Sequence, residues 1–244
     1  MAGGLSSRMR NSTGKSFHKA LAQVFDIPLI ELNLLYAYNY GFKNVWISIS
    51  INEVEVIDYV KKLQRVYDKN LGITIHMIIE RSPLGTIGAV QFVECKYEPL
   101  LILFVDNLLD INLTELMTSH VSAKADMTIV SHKESFQVPF GELVVEGDQI
   151  IQYIEKPEHE VLISSGTYVL GEEVQYLIRN DYPDKRIDVH NLAKVLISQN
   201  FKMLSYFHTA FWADINDQVT LLRVRGEPQW PLIKKISELK RKFE

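Results

Sequence analysis

The sequence predicts an α/β fold, a mixed and mostly parallel central sheet flanked by helices in a single domain. Three observations predict it. Apolar, β-branched runs alternate with stretches of helical periodicity, the rhythm of strands joined by crossover helices. The chain has 244 residues and is 47% hydrophobic, enough to bury one large core and too apolar for a disordered chain. A single hairpin signal interrupts the alternation, so the sheet is expected to be mixed rather than purely parallel.

Taken in order, Val45 to Ile51 is rich in β-branched residues and reads as a buried strand. Val54, Ile57, Val60, Leu63 and Val66 then recur at helical spacing. Ile73 to Ile79 and Leu100 to Val105 are further strands, and Met127 to Ser131 another. Leu143 to Val145 and Ile150 to Ile154 flank Glu146-Gly147-Asp148-Gln149, a turn suited to a hairpin. Gly166 to Leu170 and Lys202 to Tyr206 supply the last strands, and Asp188 to Gln199 and the stretch after Asp214 read as helices. Residues 1–225 read as the main domain and residues 226–244 as a helical tail, charged and amphipathic from Leu232 to Phe243.

Composition narrows the function. A net charge of −4 argues against a nucleic-acid binder held by phosphate contacts. Cys95 is the one cysteine, so neither a disulfide framework nor a cysteine metal site can form within the chain, and a cytoplasmic setting is the simplest expectation. The longest apolar run, Leu100 to Val105, is too short to span a bilayer, so no membrane partner is expected.

The residues that could carry chemistry lie at the ends of these elements. Gly3-Gly4 permits a backbone turn close to a phosphate, because no Cβ intrudes. Arg8 follows with a fixed fork of donors, and Lys19 arrives as a mobile point charge. Asp106 ends a buried strand, where α/β folds place ligands; a carboxylate there suits Mg²⁺ shared with phosphates, or simply opens a turn. Asp214 again follows an aromatic, strand-like stretch, as a second ligand or as a helix cap. Gly85, Thr86 and Gly88 lie in a strand-to-helix loop whose small residues would let backbone approach a flat base and ribose. Glu155 and Lys156 end the second hairpin strand and could meet a hydroxyl-rich, anionic substrate; a solvated strand end is the plainer reading. Gly141 and Gly166 offer further close backbone approaches.

In this order, these segments resemble the sugar-1-phosphate nucleotidylyltransferases, a family with a Rossmann-like fold of the GT-A kind. The family's opening Ala-Gly-Gly-x-Gly-x-Arg stands here as Ala2-Gly3-Gly4-Leu5-Ser6-Ser7-Arg8, and its Pro-Lys as His18-Lys19. Its base-facing Leu-Gly-Thr-Ala-Gly-Ala stands as Leu84-Gly85-Thr86-Ile87-Gly88-Ala89, and its metal-site Gly-Asp as Val105-Asp106. The sugar-side segments stand as Pro139-Phe140-Gly141, Glu155-Lys156-Pro157 and Ser164-Ser165-Gly166-Thr167-Tyr168, and the final Trp-x-Asp-Ile-Gly as Trp212-Ala213-Asp214-Ile215-Asn216. The branch most similar is that of the mannose-1-phosphate guanylyltransferases.

The resemblance implies an NTP and a sugar 1-phosphate as substrates, an NDP-sugar and pyrophosphate as products, Mg²⁺ as cofactor, a role in surface glycan synthesis and often a homodimer. It implies that Arg8 grips the leaving pyrophosphate and Lys19 steadies charge at the α-phosphate. Asp106 and Asp214 would hold the metal, Gly3, Gly4, Gly85, Thr86 and Gly88 the nucleotide, and Gly141, Glu155, Lys156 and Gly166 the sugar phosphate. The departures are Ser6, Asn11, His18, Val105, Ser164 and Asn216. A branched Val105 is expected to crowd the ligand side of the metal loop. Because charges are kept while glycines and prolines change, a catalytically weakened, nucleotide-sugar-binding regulator is the alternative. A phosphate loop of this kind normally follows a buried strand, and here only Met1 precedes it. Either further residues lie upstream or the sheet lacks a central strand, leaving apolar neighbours uncovered.

Overall fold

The computed structural model describes residues 18–94, 98–226 and 231–242. Its amino-terminal part opens with a 3₁₀ turn, Lys19–Leu21, and a small hairpin, β1 (Gln23–Val24) and β2 (Ile27–Pro28). The α1 helix (Leu29–Asn39) follows, and eight of its eleven residues are buried, so it is a core helix rather than a surface one. Sequence periodicity gives no warning of it, because a helix that is apolar all round has no stripe.

The β3 strand (Asn44–Ser50) and the β4 strand (Thr74–Glu80) pair in parallel through the crossover helix α2 (Val54–Leu71). In α2 the buried face is Val56, Val60, Leu63 and Tyr67; of the residues whose spacing predicts the helix, Val60 and Leu63 join it, Ile57 and Val66 are half-buried beside it, and Val54, the first helical residue, is exposed. The helix stops at Gly72, in the left-handed conformation at φ +63°, whose N–H returns to the Asp68 carbonyl.

The rest of the chain builds a four-stranded sheet ordered β11-β7-β10-β5. It comprises β5 (Leu100–Leu103), β7 (Met127–Gln137), β10 (Glu158–Leu170) and β11 (Met203–Phe207). The β10 strand runs against both β5 and β7, while β11 runs with β7, so three of the four strands share one direction. A short antiparallel pair, β6 (Asn107–Leu109) with β12 (Trp212–Asp214), crosses one end. The predicted hairpin is present as β8 (Glu142–Glu146) and β9 (Gln149–Ile154). Helices α3 (Leu113–Ser122), α4 (Glu172–Asp181), α5 (Val189–Ser198) and α6 (Gln218–Gly226) fill the connections.

The carboxyl-terminal α7 helix (Pro231–Arg241) packs on the domain. Its Ile233 and Ile236 are buried in the main core, and Lys240 Nζ lies 3.5 Å from the buried Glu31 of α1. Glu31 also accepts from Tyr59 Oη at 2.6 Å and Tyr67 Oη at 2.5 Å, so one buried carboxylate ties α1, α2 and α7 together.

No strand among the described residues lies between β3 and β5. A cavity of about 710 Å³ stands there instead. Strand residues Trp46 and Ile102 wall its sides, Ile30 and Ala37 of α1 line it, and so do Ala89 and Val90. The slot is open and walled largely by apolar side chains. No helix among the described residues is long and apolar enough to cross a membrane.

Candidate active site

The site gathers where β5 ends. A tight turn, closed by the Asn107 N–H on the Phe104 carbonyl at 3.1 Å, carries the chain from β5 into β6 and presents Asp106. Register does the rest: Asn107 stands opposite Asp214 in the β6–β12 ladder, and the Ile215 N–H donates to the Asp106 carbonyl at 2.8 Å. Two carboxylates more than a hundred positions apart in sequence therefore sit at adjoining strand ends.

Lys19 reaches the same place from the first 3₁₀ turn. Its ammonium ion-pairs with Asp106 and lies 3.5 Å from Asn216 Oδ1. Asn216 in turn donates through Nδ2 to Asp214. Lys19 and Asp106 are each only 18% exposed, so their charges are less screened than a surface pair. His18 explains how the lysine is aimed: its buried Nδ1 accepts from the Ala20 N–H at 3.1 Å and caps the turn. The residue that departs from the family's proline thus performs a positional task by hydrogen bonding.

Val105 does not crowd this place, contrary to expectation. Its side chain is buried in the core and lines the slot, while its carbonyl accepts from Asn33 Nδ2 at 3.1 Å. A branched residue is tolerated because the backbone turns it inward before Asp106 turns out.

Two carboxylates and a carboxamide oxygen form a hard, all-oxygen donor set. Such a set fits Mg²⁺, which commonly takes one or two carboxylates and completes its shell with water and phosphate. No cluster of three or more His, Cys, Asp or Glu residues suited to a metal occurs among the described residues. Any such ion therefore needs ligands from substrate or solvent.

A profile of the nucleotidyl transferase family matches residues 1–225. The chain belongs to that family. Among the chain's relatives, a mannose-1-phosphate guanyltransferase of Pichia angusta is 26% identical over 224 residues, covering 88% of this chain and 59% of its own. A D-glycero-alpha-D-manno-heptose 1-phosphate guanylyltransferase of Aneurinibacillus thermoaerophilus is 26% identical over 177 residues, covering 71% of this chain and 74% of its own. The chain thus spans about three fifths of the Pichia protein's length. In fold, it is similar to HddC from Yersinia pseudotuberculosis, with a TM-score of 0.67 and 21% identity over 92% of this chain and 95% of that one. HddC has also been crystallised with GMP-PN.

The other family positions within the described residues fall into three groups. Gly3, Gly4 and Arg8 lie outside the described residues. Gly166 joins the cluster. It sits at φ +73° in a bulge of β10, and an added Cβ would strike the Asn107 carboxamide, next door to Asp106. Ser164 completes the bulge by donating to Tyr168 Oη at 3.0 Å and accepting the Gly166 N–H at 3.3 Å.

The strand-to-helix loop is held from behind. Gly85, at φ +84°, passes so close to the Ile187 carbonyl that no Cβ fits. Thr86 donates its N–H to Asp188 Oδ1 at 3.0 Å and accepts the Val189 N–H at 2.8 Å, which fixes the loop to the start of α5. Gly88 lies 3.1–3.4 Å, measured from its absent Cβ, from Leu84 and residues 185–187. Burial works against charge on Asp188, yet the Thr86 N–H and Arg186 outweigh it and hold the carboxyl below its ordinary value. Asp188 anchors the loop, a role visible in sequence only as a helix start.

The hairpin arm is the third group. Glu155 accepts from Tyr153 Oη at 3.2 Å, on the arm itself, and an added Cβ at Gly141 would meet the same tyrosine ring. Lys156 is exposed at φ +47° in the turn before β10. These residues are not brought into hydrogen-bonding contact with the carboxylate cluster.

Proposed function

We propose that this chain catalyses nucleotidyl transfer from an NTP to a sugar 1-phosphate, giving an NDP-sugar and pyrophosphate. The observation that carries the reading is the convergence of Lys19, Asp106, Asp214 and Asn216, from three separate stretches, at one strand end. The family membership and the two guanylyltransferase relatives favour GTP as the nucleotide.

A phosphate oxygen of the sugar 1-phosphate attacks the α-phosphorus. One P–O bond forms, the bond to the pyrophosphate group breaks, and pyrophosphate departs with its negative charge. No protein nucleophile is required, so rate comes from alignment and charge neutralisation. Lys19 exchanges its resting partner Asp106 for phosphate oxygens and steadies charge at the α-phosphate. Arg8 holds the departing pyrophosphate, and Gly3 and Gly4 wrap the phosphates. Gly85, Thr86 and Gly88 face the base, while Gly141, Glu155, Lys156 and Gly166 receive the sugar phosphate. Asp106 and Asp214 would hold Mg²⁺, which when bound would supply charge neutralisation. The NDP-sugar product suits glycan assembly.

The test is pyrophosphate release with Mg²⁺, screening four NTPs against a panel of sugar 1-phosphates. Release with one pair, lost in Lys19→Ala, is the expected result. A folded protein that binds a nucleotide sugar and turns over no pair overturns the reading in favour of the regulatory alternative.

A further inference from the structure

A backbone carbonyl shut away from water needs a donor inside the protein. The loop from Val105 to Ile111, which carries Asp106, meets that need from two directions. Asn107 to Leu109 pair with Trp212 to Asp214, the Ile215 N–H donates to the Asp106 carbonyl at 2.8 Å, and the Asp110 N–H donates to the Phe211 carbonyl at 3.0 Å. The carbonyls at the loop's two ends, those of Val105 and Ile111, are met instead by side chains of α1. Both residues are buried, at 5% and 6% exposure. Asn33 Nδ2 donates to the Val105 carbonyl at 3.1 Å, and Tyr36 Oη donates to the Ile111 carbonyl at 2.8 Å. The Ile111 N–H returns to the same tyrosine hydroxyl at 3.3 Å. Asn33 and Tyr36 are three positions apart, so they share one face of the helix.

Counting hydrogens shows what Asn33 joins. Its carboxamide nitrogen has two hydrogens and accepts nothing. One goes to Val105, and the other to the Leu29 carbonyl of its own helix at 3.0 Å. A reversed carboxamide would set oxygen against both carbonyls, so the orientation is forced. Leu29 in turn donates its N–H to the Ala22 carbonyl at 3.0 Å, and Ala22 closes the 3₁₀ turn that carries Lys19. A continuous run of hydrogen bonds thus links the Lys19 turn to the residue before Asp106, with the Asn33 carboxamide as its bridge. Tyr36 secures the far end of the loop. Burial pushes its hydroxyl well above the ordinary tyrosine range, the Ile111 backbone opposing only in part, so the proton it donates stays in place.

We propose that Asn33 and Tyr36 are positioning residues for nucleotidyl transfer, and that α1 is a bracket holding the Asp106 loop in register with the Lys19 turn. Both act through backbone, and nothing in the sequence motifs marks either. The proposal rests on the transfer reading of the site. A reaction driven by alignment is steeply sensitive to displacement: a shift of about 1 Å can cost about a hundredfold in rate. Loss of the bracket should therefore fall on kcat and leave substrate binding nearly intact.

The first test needs no turnover. Amide hydrogen exchange is followed by NMR in Asn33→Leu, which keeps the side chain's size without its donors, and in Tyr36→Phe. The Asn107 and Ile215 amides, which bond on either side of Asp106, should exchange about tenfold faster in Asn33→Leu, relative to the amides of α2. The Ile111 amide should do so in Tyr36→Phe. Tyr67→Phe is the control: it removes a buried hydroxyl bonded to Glu31 of the same helix, and should leave the loop amides unchanged.

The second test is steady-state pyrophosphate release. Asn33→Leu should lower kcat about 10- to 100-fold and Tyr36→Phe about tenfold, with both KM values within about twofold of the parent. Tyr67→Phe should lower the thermal midpoint and keep kcat. Unchanged loop amides in the two bracket variants, or a fall in kcat no larger than that of Tyr67→Phe, overturns the proposal. Should Asn33→Leu not fold, Tyr36→Phe carries both readouts. Absence of turnover by the unaltered protein with every pair defeats the transfer reading and with it the catalytic purpose of the bracket, while amide exchange alone then decides whether α1 holds the loop.

Discussion

The carboxylate cluster and the hairpin arm carry family charges of the same standing in sequence, and the structure treats them differently. Lys19, Asp106, Asp214 and Asn216 are drawn from distant stretches into a partly buried, mutually bonded group. Glu155 and Lys156 are exposed, and Glu155 bonds to Tyr153 on its own arm. Apolar side chains are exposed along the arm too, Phe140 at 72% and Tyr153 at 64% among them. A charge fixed by fold topology is preorganised, whereas one on an arm acquires its geometry when ligand arrives. Substitutions in the first region should therefore strike turnover, and those in the second should strike binding.

The largest effect is expected at Asp106. Asp106→Asn keeps the shape and removes the charge, and should lower kcat about 10²- to 10³-fold. Because the residue is partly solvated and lies in a turn, the thermal midpoint should change little. Full turnover in a folded Asp106→Asn protein would end the metal assignment.

Next comes a matched pair of glycines, which carries the comparison into stability. Gly166 and Gly147 both adopt positive φ, +73° and +59°. An added Cβ at Gly166 meets the Asn107 carboxamide, while at Gly147, in the hairpin turn, nothing lies within 4 Å. Gly147→Ala should cost only left-handed backbone strain, about 1 kcal/mol. Gly166→Ala adds a clash beside the cluster and should cost about 2–4 kcal/mol by denaturant unfolding. Equal costs would show that the bulge can yield, and would remove Gly166 from the group of fixed residues.

A smaller effect is expected at Lys156. Lys156→Ala should raise KM for the sugar phosphate roughly tenfold, the value of one charge-assisted contact, with kcat and thermal midpoint nearly unchanged. A fall in kcat as large as that of Asp106→Asn would place the arm with the cluster and break the distinction.

How far the sequence discloses this arrangement differs along the same boundary. Asp106 and Asp214 are legible as acids at strand ends, equally able to open a turn or cap a helix, and only the β6–β12 pairing brings them to adjoining strand ends. The β8–β9 hairpin is legible from its turn residues, and α2 from its stripe. By contrast, α1 is hidden by being apolar all round. Asn33, Tyr36, Asn107 and Asp188 are hidden because their importance comes from register and packing. Asn107 matters only once β6 pairs with β12, and Asn33 only once α1 meets the Val105 carbonyl. Val105 is misread for the same reason: sequence gives its bulk, and only the turn into β6 gives its direction.

The smallest effect divides the molecule by protonation rather than substitution. His120 and His208 are buried, and burial holds both below the ordinary histidine value of 6.5. His120 Nδ1 lies 2.8 Å from Thr128 Oγ1, and His208 Nε2 meets Ser165. A lowered folded pKa means that the unfolded chain binds more protons across the window between that pKa and 6.5. Stability must then rise with pH through the window and fall as the solution is acidified below 6.5. The thermal midpoint should accordingly drop as the buffer is taken from about pH 7.5 toward 5. His208→Gln should blunt that drop, and His159→Gln, on the exposed arm beside Glu142, should not. If the arm variant blunts the acid loss as much as the buried one, protonation is being sensed at the surface, and the difference between the two regions would not extend to their histidines.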